Sequence, residues 1–180
     1  MPASAINLRE VQAPLKERYL RDPAAALITC RARSVGSELS DPLHCEIEME
    51  GGKGNRLRSG AHAGVGGAGD VPCSGDLLLA ALIACQETTI RMVAAAMGIE
   101  LEEISIEATA TADLRGTLAI SREVPVGISG IDCRVRLKVR DDGRGERAQR
   151  LLESAEKYCI VLSTLRSGVD VRTDFEVARV

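Results

Sequence analysis

The segment from Ser74 to Gly98 carries the longest helical pattern in the chain, and everything else must be arranged around it. Ser74 is a good N-cap, Asp76 complements the positive end of a helix, and Gly98 sits where a C-cap glycine belongs. Between them Leu78, Ala81, Leu82, Cys85, Thr89, Met92, Val93 and Ala96 fall on one face at helical spacing. Glu87 and Arg91 are four apart and predict an ion pair on the wet side. At about 1.5 Å per residue the helix reaches roughly 36 Å, enough to cross a whole domain. Leu77, Leu79, Ile83 and Ile90 lie outside the main stripe, more apolar surface than one thin sheet covers, so a second copy of the chain is the expected partner.

Short alternating segments stand on both sides of this central helix. Leu8 to Asp22 is charged and predicts a surface helix stopped by Pro23. Ala26, Ile28, Cys30 and Ala32 alternate with Leu27, Thr29, Arg31 and Arg33, a strand pattern. Leu43, Cys45, Ile47 and Met49 alternate with polar residues, and a third strand is predicted over Arg56 to Ala61. After the helix, Ile104, Ile106, Ala108 and Ala110 repeat the pattern. Ile131 to Val139 is its cleanest example, followed by a turn at Asp141-Asp142-Gly143. A helix over Glu146 to Lys157 buries Ala148, Leu151, Leu152 and Ala155. A short helical turn over Ile160 to Leu165 and a last strand through Val169, Val171, Thr173 and Phe175 complete the order. Strands, a long helix, two strands, helix and strand make an α+β fold, with residues 1–25 as an N-terminal surface segment and 26–180 as the domain.

Composition narrows the function. A formal charge of -3 offers no footprint for nucleic acid or an anionic membrane, and with only Tyr19, Tyr158 and Phe175 aromatic there is no base-stacking platform. The first residues lack the charge and apolar pattern of a signal peptide, and no stretch approaches the roughly 20 apolar residues of a membrane span. A cytoplasmic protein without nucleic-acid or membrane partners is expected, with its six cysteines mostly reduced.

Several motifs read better as structure than as chemistry. Gly64-Val65-Gly66-Gly67-Ala68-Gly69 matches a dinucleotide-binding pattern by letter, but Asp70 and Pro72 separate it from the helix and no buried parallel strand leads into it. A flexible loop without a cofactor is expected. The only histidines, His44 and His62, lack metal-site spacing, and His44 alternates outward as a solvated side chain, so no metal is expected. Cys30, Cys45 and Cys133 lie on the apolar sides of strands, where cysteine behaves as a small hydrophobe. Cys73 precedes the helix, where the dipole favours a thiolate. Cys85, taken alone on an apolar face, reads as packing.

The surrounding residues change that reading. The segment Ser74-Gly75-Asp76-Leu77-Leu78-Leu79-Ala80-Ala81-Leu82-Ile83-Ala84-Cys85 resembles the central-helix motif of the OsmC/Ohr family of thiol peroxidases. Glu156-Lys157-Tyr158-Cys159-Ile160-Val161 resembles the second-cysteine motif of the same family. The likeness spans about residues 26–178 and includes the glycine-rich loop before the first motif.

The resemblance implies antiparallel sheets packed on the central helix of an intertwined homodimer. It implies that Cys85 attacks an organic hydroperoxide to give a sulfenic acid, and that Cys159 resolves it as a disulfide. A dithiol, such as a lipoylated protein, would reduce that disulfide. It also implies an arginine from the N-terminal strands that lowers the Cys85 pKa, with Arg33 the match and Arg31 the alternative. The family's hydroperoxide enzymes carry a glutamate ten residues before the first cysteine, where this chain has Gly75. The expected consequence is a Cys85 pKa near the ordinary value and slower oxidation. The alternative function is a non-catalytic small-molecule binder or stress-associated dimer that keeps the cysteines as packing.

Overall fold

A computed structural model describes residues 6–51, 54–140 and 146–179. The chain begins with α1 (Leu8–Arg21), closed by Pro23 as expected, and a 3-10 turn over Pro23–Ala26. The first strand is much shorter than its alternation predicted. Only Ala32–Ser34 (β1) pairs, because the preceding residues enter the 3-10 turn and then run exposed. β2 (His44–Met49) and β3 (Arg56–Gly60) complete an antiparallel meander in the order β1-β2-β3. Its register places Arg33 opposite Glu48, Ile47 opposite Leu57 and Cys45 opposite Ser59.

The central helix α2 spans Ser74–Met97. Cys73 is its N-cap rather than Ser74, and Asp76 completes the cap by accepting the Cys73 N–H at 2.9 Å. Gly98 ends the helix in the left-handed conformation (φ 65°), its N–H returning to the carbonyls of Ala94 and Ala95. Two guanidiniums close the same end: Arg9 of α1 donates to the Ala96 carbonyl at 2.6 Å, and Arg147 donates to that of Met97. The Glu87–Arg91 pair forms at 3.5 Å.

Behind α2 lies a long antiparallel ribbon, β4 (Leu101–Ala112) with β5 (Ile128–Val139). A short helix, α3 (Leu114–Thr117), stands in their connection. α4 (Glu146–Tyr158) and α5 (Ile160–Ser167) follow; the turn expected at Asp141-Asp142-Gly143 lies outside the described residues. Register pairs Ile104 with Leu137 and Ile106 with Val135, so one ribbon face is apolar. That face, α2 and α4 enclose a core of Ile90, Ala94, Leu151 and Ala155.

The buried line of α2 is Leu82, Gln86, Ile90 and Ala94, rotated away from the stripe read in the sequence. Ile90, expected at a partner surface, is core, while Ala81 and Met92 are exposed. The helix is apolar nearly all round, so its periodicity left the phase open. Among the described residues it is the one helix whose length and composition would let it cross a membrane. Here its buried line faces sheet and helices of the same chain.

The expected last strand is absent. Val169, Val171, Thr173 and Phe175 lie in an exposed run without strand pairing, Phe175 being 84% exposed. A strand needs an edge to bond its N–H and C=O groups, and among the described residues this segment pairs with none of the outer strands β1, β3, β4 or β5. The meander β1-β2-β3 likewise packs on no helix of its own chain to any extent. Cys45 and Met49, which alternation had placed inside, are therefore exposed, as is Cys30.

Candidate thiol site

Cys85 and Cys159 meet where α2 passes the junction of α4 and α5. α4 ends at Tyr158, α5 begins at Ile160, and Cys159 between them is the N-cap of α5. Its sulfur accepts the Leu162 N–H at 3.5 Å, and the residue is fully buried. A cap points its side chain back at the first free amides of the helix, and the same amides are within reach of a second sulfur. Cys85 occupies that place. The Val161 and Ile160 amides, the Cys159 thiol and the Thr89 hydroxyl, one turn along α2, are the neighbours that favour its thiolate.

These contacts set the two thiols apart. Burial pushes the Cys85 pKa up, but the Val161 amide, the Cys159 thiol, the Ile160 amide and the Thr89 hydroxyl together bring it below the ordinary thiol value. Cys159 moves the other way. Burial raises it, the Leu162 and Val161 amides offset part of this, and Cys85 beside it raises it again. The pair therefore loses its first proton on the Cys85 side while Cys159 keeps its own. A thiolate beside a thiol is the arrangement that disulfide chemistry requires.

Among the described residues, neither Arg33 nor Arg31 is one of the groups that lower the Cys85 pKa. Arg33 binds Glu48, with Nη2 2.6 Å and Nε 2.8 Å from one carboxylate oxygen, and this pair holds the Glu48 carboxyl below its usual range. Arg31 binds Glu50 at 3.2 Å. Both arginines lie on or beside the meander, which does not pack on α2 to any extent. The amides at the start of α5, with the Cys159 thiol and the Thr89 hydroxyl, move the Cys85 pKa down. At Gly75 itself, a Cβ would meet only the Cys73 sulfur, at an ordinary 3.5 Å.

The sequence reading overlooked Thr89 as a sulfur ligand and the amides of Ile160 and Val161. A threonine four residues after Cys85, and a helix starting directly after Cys159, were the available signals. Cys73 forms the α2 cap, and Cys133 is a partly buried thiol whose pKa burial raises. Among the described residues no group of three or more His, Cys, Asp or Glu is placed to hold a metal. The glycine-rich loop is mostly exposed but comes close to its neighbours at two glycines. A Cβ on Gly67 would collide with the Ala61 carbonyl and one on Gly64 with the Leu114 side chain, so close packing accounts for both glycines.

Two cavities flank the pair. An open groove of about 450 Å³ includes Cys159, Tyr158, Ile160 and Val169. A larger cavity of about 710 Å³ lies between α2, β5, α4 and α5, lined by Leu78, Leu82, Gln86 and Leu162 and reaching Glu156 and Arg166, whose ion pair spans 2.5 Å. Neither sulfur lines the larger space.

The comparisons with known proteins agree with this architecture. The model of the family described as OsmC-like protein matches residues 67–174, more than half of the chain, including both cysteines. An OsmC-like protein from Mycoplasma pneumoniae superposes with a TM-score of 0.62 at 14% identity, covering 78% of this chain and 89% of that one. An organic hydroperoxide resistance protein OsmC from Legionella pneumophila gives 0.56 at 23% identity, covering 81% and 95%. An organic hydroperoxide resistance protein from Elizabethkingia anophelis gives 0.56 at 20%, covering 79% and 91%. No curated relative matches by sequence. At these identities the structural likeness is one of fold, and together with the family match it gives the conclusion that this chain belongs to the OsmC-like protein family.

Proposed function

We propose that the protein is a thiol peroxidase of the peroxide-stress response, reducing organic hydroperoxides through Cys85 and Cys159. The observation that carries this reading is the neighbouring pair, a Cys85 thiol shifted down beside helix amides and a buried Cys159 thiol shifted up, with Cys159 capping α5. The hydroperoxide resistance function named for structural neighbours supports it.

In the proposed cycle the Cys85 thiolate attacks the terminal oxygen of a hydroperoxide. The O–O bond breaks, Cys85 becomes a sulfenic acid, and the alkoxide leaves as an alcohol after taking one proton. The Cys159 sulfur, giving up its proton, then attacks the Cys85 sulfur; a disulfide forms and water departs. A dithiol, for example on a lipoylated protein, restores both thiols and is itself oxidised to a disulfide. Two amides already aimed at Cys85 also favour the thiolate that must be present at the start.

The proposed assembly is a homodimer in the cytoplasm. The meander's apolar face, with Ile47, Leu57 and Met49, and the tail with Val171 and Phe175 are the surfaces a second copy would cover. Arg33, or Arg31, is the cation proposed to reach Cys85 in that dimer. The test is intact mass after substoichiometric cumene hydroperoxide: loss of two hydrogens mapped to Cys85 and Cys159, with peroxide consumed, is the expected result. The 710 Å³ cavity, which touches neither sulfur, favours the alternative of a non-catalytic binder, and an inert pair of thiols would establish that reading instead.

A further inference from the structure

Within its own chain, the N-terminal meander is joined to the start of α2 by a small number of polar contacts. At one edge, the Gly60 N–H and the Ser59 hydroxyl both donate to the Pro72 carbonyl, at 3.1 and 2.9 Å, and Gly60 forms a parallel bridge with Cys73. Beside it the Ala61 N–H donates to the Leu43 carbonyl at 2.8 Å, and a further contact is made by His44. The sequence placed it in solvent, yet its side chain is only 15% exposed. The ring lies so close to Gly60 that a Cβ there would be 3.0 Å from it and 2.9 Å from Val71.

Both ring nitrogens of His44 are engaged by carboxylates. Nδ1 is 2.8 Å from Asp41, in the turn before β2, and Nε2 is 3.0 Å from Asp70, in the loop that leads into α2. A carboxylate accepts and does not donate, so satisfying both contacts requires two N–H groups, the imidazolium. A neutral ring has one N–H and turns a lone pair toward the other carboxylate.

We propose that His44 is a proton-dependent tether that fastens the N-terminal meander to the glycine-rich loop at the start of the central helix. Asp70 is the partner that is let go. Asp41 has other holds, the Leu43 N–H at 3.0 Å and Arg58 Nη2 at 3.6 Å, and sits three residues from His44. The groups facing the ring from each packed element are thus Asp41, Asp70 and Arg58. Protonated, the four groups balance in charge; neutral, the cluster carries one unmatched carboxylate.

The direction of the response follows from the same neighbours. Asp70 first and Asp41 second raise the His44 pKa; burial and Arg58 lower it, and the net movement is upward. A raised histidine contributes fully below its unfolded value of about 6.5 and loses that contribution as pH rises through the folded value. The His44–Asp70 tether is therefore made in acid and lost toward alkaline pH, while the Gly60 and Ser59 bonds to the Pro72 carbonyl persist. This does not depend on the thiol chemistry, and failure of either leaves the other standing.

The test is hydrogen exchange of the peptide covering residues 61–71 in the full chain from pH 5.5 to 9, corrected for the intrinsic rate. It is run beside an NMR titration of the His44 ring, assigned with His44→Gln. Loop protection is expected to fall roughly two- to five-fold, the scale of a surface ion pair, with the midpoint of His44 itself. Asp70→Asn is expected to abolish the step and lower the His44 midpoint. Protection that stays flat in the unmodified protein, a midpoint that does not coincide with His44, or an equal step in Asp70→Asn would each overturn the tether. The first reading needs no variant, and the second needs His44→Gln only to assign the ring signal.

Discussion

The sulfur of the buried Cys159 caps α5 by accepting the Leu162 N–H, and its thiol is one of the neighbours that lower the Cys85 pKa, so one side chain serves both the helix and its proposed reaction partner. Cys85→Ser is expected to lose all peroxide consumption. Cys159→Ser is expected to stop at a sulfenic acid that dimedone traps, since nothing then closes the disulfide. Equal residual turnover in the two variants would remove the assigned roles.

The lowered Cys85 pKa predicts iodoacetamide alkylation with a midpoint below the ordinary thiol value, measured in a variant whose other cysteines are serine or alanine. Because the folded pKa is depressed, the associated stability is present above the unfolded value and lost as pH falls through the folded one. Thr89→Val removes one of the donors. Its midpoint should move upward and its alkylation at neutral pH should slow about three-fold, the scale of one neutral hydrogen bond. A pH profile unchanged by Thr89→Val would show that the hydroxyl contributes nothing.

Gly75→Glu tests the family position that this chain leaves empty. The Cβ has room, and a carboxylate in the first turn of α2 should leave stability unchanged or raise it by about 0.5 kcal/mol. Peroxide consumption is expected to rise, because a glutamate would fix a guanidinium near the thiolate. A thermal melt and a steady-state assay read the two effects separately, and a slower enzyme would contradict the second.

Leu151 and Leu152 are neighbours with opposite environments. Leu151 is fully buried in the core, and its replacement by Ala should cost about 2–5 kcal/mol in urea unfolding. Leu152 is 38% exposed at the cavity edge, so Leu152→Ala should cost much less. Equal losses would mean that the cavity is filled in solution.

Light scattering at micromolar concentration is expected to return twice the 19.2 kDa chain mass. Phe175→Asp, in the unpaired tail, should shift the protein toward monomer by introducing a charge into the apolar surface proposed to be covered. A mass of one chain for the unmodified protein would exclude the dimer.

Several elements of this chain are specified by local chemistry alone. Asp76 and Gly98 bound α2, Pro23 stops α1, and alternation from Ile131 to Val139 defines β5, because caps, proline and period-2 patterning act over a few residues. The two cysteine motifs were legible only through their resemblance to the OsmC/Ohr family. Which face of α2 is buried was not, since an all-round apolar helix has no preferred phase until β4, β5 and α4 pack against it. The Val169–Phe175 alternation showed a capacity to pair but named no partner, and in one chain it has none. Only the tertiary structure decided that Cys85 meets the amides of Ile160 and Val161 and that His44 lies between Asp41 and Asp70. Those contacts join residues distant in sequence, and their energies depend on burial and direction, quantities that exist only once the chain has folded.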